Sequence, residues 1–75
     1  MRYFFNVHMD GQEISDVEGG EFDSFDAAHS EAARIARELF RDFSFEIDRH
    51  SMLEVLDEEG ATVLNLPVHD NHTLH

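Results

Sequence analysis

From Arg2 to His8 the side chains alternate: Tyr3, Phe5 and Val7 fall on one face, Phe4, Asn6 and His8 on the other. A period of two predicts a β-strand. Asp10-Gly11 then predicts a hairpin turn, because glycine accepts the positive φ angles of tight turns. A short second strand over Gln12 to Asp16 follows, with Ile14 its only large apolar residue. Val17-Glu18-Gly19-Gly20-Glu21 reads as a loop, since adjacent glycines weaken regular structure.

The period changes after Ser24, which is placed to cap a helix by accepting a backbone N–H of the first turn. Asp26 puts negative charge where the helix dipole favours it. Phe25, Ala28, Ala32, Ile35, Ala36, Leu39 and Phe43 recur at helical spacing and define one buried stripe from Phe25 to about Phe43. No glycine C-cap follows, so Ser44 to His50 reads either as frayed helix or as connection. Period two returns in Met52 to Asp57, where Leu53 and Val55 share a face. After a turn at Glu59-Gly60 it continues in Thr62 to Val68, with Leu64 and Leu66 on one face. Pro67 lacks an N–H and suits an edge or a strand end.

The expectation is an α+β fold of ββαββ type. It has a four-stranded antiparallel sheet in the order 2-1-3-4 and one amphipathic helix on one face. The helix-facing set is Tyr3, Phe5, Val7, Ile14, Leu53, Val55, Leu64 and Leu66. Residues 1–75 form a single domain, with 69–75 a loose polar tail.

Composition then narrows the functional classes. Without cysteine there are no disulfides, thiolate metal sites or cysteine nucleophiles, which fits a reducing compartment. No secretory hydrophobic region and no bilayer-length apolar run occurs, so the cytoplasm is expected. Seventeen acidic residues stand against five arginines and no lysine, a formal net charge of −12. A field of that sign repels phosphate backbones and anionic membranes, so neither nucleic acid nor membrane is an expected partner; basic proteins or cations are.

Several stretches resemble a known family. Arg2-Tyr3-Phe4-Phe5, Glu18-Gly19 before Glu21, Ala27-Ala28 with Glu31-Ala32, and Asp57-Glu58-Glu59-Gly60 leading to Val63-Leu64, Leu66 and Pro67 are similar to short, mainly alphaproteobacterial proteins classed as a domain of unknown function. This chain lacks the proline that often stands between their first Met and Arg, and Ser44 to Ser51 falls outside the resemblance. The resemblance implies the architecture and no activity.

Candidate chemistry is sparse. His69, His72 and His75, with Asp70 nearby, have ligand types that bind zinc, nickel or copper, but Pro67 and the polar tail oppose a stable helix to fix them. Counting from Asp16, the sixth and twelfth places of a calcium loop hold Glu21 and Ala27 instead of Gly and Glu, so that motif fails. No nucleophile elbow, phosphate loop or dinucleotide fingerprint occurs; Gly19-Gly20 reads as a backbone feature, and no enzyme activity, cofactor or small-molecule ligand is expected. Arg34, Arg37 and Arg41 form a basic stripe on the helix that either docks an acidic partner or pairs with Glu31, Glu38 and Asp42.

The best lead is the sheet face turned away from the helix. Phe4, Met52, Leu56 and Val63 fall there as a candidate interface for a homodimer or a protein partner. The plainer readings are scattered surface hydrophobes, or cover by Phe45 and Ile47. The expected function is a small non-enzymatic interaction module, self-associating through this face. A metal- or pH-responsive protein using the C-terminal histidines is the alternative, since protonating all six histidines halves the formal charge. An acidic mimic of nucleic acid is a third reading.

Overall fold

The computed structural model describes residues 1–9, 11–43 and 50–68. Five strands and a helix follow one another as β1 (Arg2–Met9), β2 (Gln12–Ile14), β3 (Gly20–Glu21), α1 (Phe25–Asp42), β4 (Met52–Leu56) and β5 (Thr62–Pro67). The sheet is antiparallel, ordered β2-β1-β4-β5, with β3 also paired to β1. The α+β class and the two-hairpin plan agree with the sequence; the count of four strands is corrected to five. Gly20–Glu21, expected within a loop, pairs with Tyr3 and Arg2.

β1 is the hub. One edge pairs with β4, Phe4 to His8 against Leu56 to Met52. The other edge is shared: Val7 to Met9 pair with β2 and Arg2 to Tyr3 with β3. The gap between them is closed by a side chain. Asp16 accepts the Phe5 N–H on Oδ2 (3.2 Å) and the Glu18 and Gly19 N–H groups on Oδ1 (3.3 and 3.0 Å). Its own N–H donates to Asn6 Oδ1 at 2.9 Å. One carboxylate thus replaces the strand pairing that β1 lacks there, which satisfies the buried-donor requirement without a residue of ladder.

α1 starts as expected. Ser24 is the N-cap and its Oγ accepts the Ala27 N–H at 3.1 Å. Ala28 and Ala32, one turn apart and with no exposed surface, let the helix sit close on the sheet. Beneath them are Leu53 and Val55, also fully buried. Burying such a side chain contributes about 1.5–3 kcal/mol, so these positions dominate the small core.

Three expectations about the core are corrected. α1 packs on β4 and β5 and leaves the β2 end uncovered, so Ile14 is half exposed (50%). Phe25 and Phe43, at the two ends of the apolar stripe, are exposed, while Phe40 and Phe22 pack against the core. Phe22 sits edge-on to Phe5, with ring centroids 5.8 Å apart, and tilted against Tyr3 at 6.2 Å. Val68, beyond the last strand, is fully buried and its N–H donates to Ser51 O at 3.0 Å. The expected hairpin residue Asp10, and Phe45 and Ile47, lie outside the described residues.

Candidate functional site: the sheet face opposite the helix

Among the described residues the one helix lies on the Leu53/Val55 side of the sheet, and no helix or strand lies over the other side. The pairing register sorts that face into rows. Phe4, Leu56 and Thr62 are cross-strand neighbours; so are Asn6, Glu54 and Asn65; so are Glu13, His8, Met52 and Pro67. The four residues of the candidate interface are therefore not one patch. Phe4 and Leu56 are brought side by side. Met52 stands beyond the polar Asn6–Glu54 row. Val63 is the extra residue of a β-bulge, where the β4–β5 register shifts between Val55 and Leu56. It lines an open depression of about 220 Å³ with Met1, Arg2, Tyr3 and Asp57–Glu59.

The carboxylate of the polar row is bonded to the rows on either side of it. Glu54 Oε1 lies 3.0 Å from His8 Nε2, and Oε2 accepts a hydrogen bond from the Thr62 hydroxyl. The Thr62 hydroxyl, then the His8 ring, hold the Glu54 carboxyl below the usual carboxylate range. Hydrogen bonds to the charged form favour ionisation, so Glu54 remains negative at the middle of the face.

Phe4 is positioned by the connection between β2 and β3. Gly19 adopts φ +72°, a left-handed conformation natural to glycine. A Cβ built there meets Phe4 Cε1 and Tyr3 O, each at 2.8 Å. The backbone of Gly19 therefore lies directly against the Phe4 ring, which half-buries Phe4 instead of leaving it bare. Two residues before Gly19, Val17 is 86% exposed, the most exposed large apolar side chain described. Sequence reasoning assigned Val17 only to a loop. Its lone apolar character between Asp16 and Glu18 was the available signal.

Charge separates the two layers. On the sheet side Glu13, Glu21 and Glu54 share the open face, and Glu18 and Asp57–Glu59 border it. Arg2 is its only described arginine, bonded to Glu21 Oε2 (3.0 Å) and Glu18 O (2.8 Å). The other described arginines are on α1. Arg34 binds Glu31 and Glu38 within the helix, which holds Glu31 below the usual carboxylate range, and Arg41 Nε donates to Asp42 at 3.2 Å. The intrahelical alternative for the basic stripe thus accounts for Arg34 and Arg41, whereas Arg37 has no ion-pair partner among the described residues.

His69, His72 and His75 lie outside the described residues. Among the described residues no group of three His, Asp or Glu side chains converges to hold a metal ion, and no helix is long and apolar enough to cross a membrane. No curated protein and no solved structure matches this chain. Over residues 2–69 it matches, and belongs to, the family described as domain of unknown function DUF6894.

Proposed function

We propose that this domain is a non-enzymatic protein-interaction module, acting in the cytoplasm, whose docking surface is the open sheet face around Phe4. The observation that carries this reading is the pairing of Phe4 with Leu56 on a face that no described helix or strand covers. Apolar side chains grouped on one uncovered face are a common mark of an interface. The absence of cysteine supports a reducing compartment.

The test compares wild type with Phe4→Asp, using circular dichroism to establish that both are folded. Light scattering across a dilution series reads self-association, and affinity capture from the native cell reads other protein partners. The expected result is an associated copy or a captured protein that Phe4→Asp loses and Arg37→Ala, on the opposite layer, keeps. Identical scattering and identical capture for wild type and Phe4→Asp would refute the reading.

A further inference from the structure

From the charge of this face we infer the kind of partner it takes: a basic protein segment that presents apolar side chains between arginines or lysines. The inference rests on the docking reading above and adds the chemistry of the occupant. Three carboxylates, Glu13, Glu21 and Glu54, stand on the same face as Phe4 and Leu56. The cationic groups beside them are already engaged, Arg2 with Glu21 and Glu18 and the Met1 ammonium with Glu21, and the His8 ring is bonded to Glu54. An incoming cation therefore meets carboxylates, and an incoming anion meets no free described cation. Val17, 86% exposed, belongs to the β2–β3 connection whose Gly19 backbone lies against the Phe4 ring.

A second copy of the chain is the poorer fit. Each copy carries a formal charge of −12, and stacking two such faces brings two sets of Glu13, Glu21 and Glu54 into one interface. Like charges juxtaposed across an interface oppose association, whereas opposite potentials accelerate encounter and select the partner. A cationic segment brings its charge to the acidic rows and its apolar side chains to Phe4, Leu56 and Val17. Glu54 suits the central contact although each of its oxygens has one partner, His8 on Oε1 and Thr62 on Oε2, because a carboxylate has further lone pairs for an arginine.

Three short synthetic peptides test this against the full chain: alternating arginine and valine, alternating arginine and serine, and alternating glutamate and valine. Binding is read by fluorescence anisotropy and mapped by amide chemical-shift changes. The expected result is binding of the arginine–valine peptide with shifts centred on Phe4, Glu54 and Leu56. It weakens roughly tenfold or more between low and high salt. Val17→Ser, which cannot disturb the core at 86% exposure, and Phe4→Ser each weaken it several-fold. Equal binding of the arginine–valine and glutamate–valine peptides would overturn the charge inference and leave the docking reading standing. So would a dimer that dissociates on dilution, is lost in Phe4→Asp and excludes the peptides. Equal binding of the arginine–serine peptide, unchanged by Phe4→Ser and Val17→Ser, would overturn both.

Discussion

Replacing Gly19 with alanine tests how Phe4 is held, and the structure separates the two costs involved. The first is conformational: at φ +72° an L-residue pays about 1–2 kcal/mol for the left-handed backbone. The second is steric. The new Cβ meets Tyr3 O at 2.8 Å and the Phe4 ring at 2.8 and 2.9 Å. The ring can swing aside, but the carbonyl belongs to the strand that anchors the sheet and cannot. Overpacking of this sort costs about 1–3 kcal/mol, giving roughly 2–5 kcal/mol in all. Gly60 is the internal control, because φ is +83° and nothing lies within 4 Å of a built Cβ. Gly60→Ala therefore carries only the conformational cost. Urea denaturation of both variants is the assay, with the shift in midpoint read at constant slope. The expected order is Gly19→Ala well below Gly60→Ala, by at least about 1 kcal/mol. If the two variants lose the same stability, the close approach of Gly19 to Phe4 and Tyr3 is not real. The positioning of Phe4 argued above then fails with it.

Two further outcomes follow from single side chains. Asp16→Ala removes the acceptor of the Phe5, Glu18 and Gly19 N–H groups; a loss of about 2–3 kcal/mol is expected, with faster hydrogen exchange at the Phe5 amide. An unchanged Phe5 exchange rate would show that another group closes the gap beside β1. Glu54→Gln is expected to lower the melting temperature at pH 7 and to lower it less at pH 3. The Glu54 carboxyl titrates below its unfolded range in the native state, so its contribution is full above about pH 4.3 and disappears as pH falls through the native value. A gap between the two melting curves that is equally wide at both pH values would contradict that.

The alternating stretches were legible because period two is enforced by the sheet itself. Leu53 and Val55, and Tyr3 with Phe5, face the helix as their spacing requires, and Ser24 caps it as its position requires. What was not legible depended on register between distant segments. β3 is two residues long, too short to show a period, and exists because β1 has free edge beside Tyr3. Ile14 has the right parity for the core but the wrong place, since only the docking of α1 on β4 and β5 decides how far cover extends. Thr62 has the parity of Leu64 and Leu66, yet the bulge at Val63 sets it opposite Leu56. The Phe4–Leu56 pair and the Glu54–His8 bond likewise need the β1–β4 register. Alternation alone places those residues on a face but not beside one another.

That register also decides what sort of interface the open face can be. Permanent subunit interfaces resemble a domain core cut in half, more apolar than ordinary surface. Here the row Asn6–Glu54–Asn65 runs between Phe4–Leu56 and Met52. Its carboxylate is kept ionised by Thr62 and His8, so burying it against an apolar surface would strand a charge. Phe4, meanwhile, is already half-covered by Gly19 and its neighbours, which reduces the cost of leaving it in water. A face that is tolerable when empty and carries a fixed negative centre is suited to reversible contact with something positive. Within the proposed function, this favours a partner that comes and goes over a second subunit that stays.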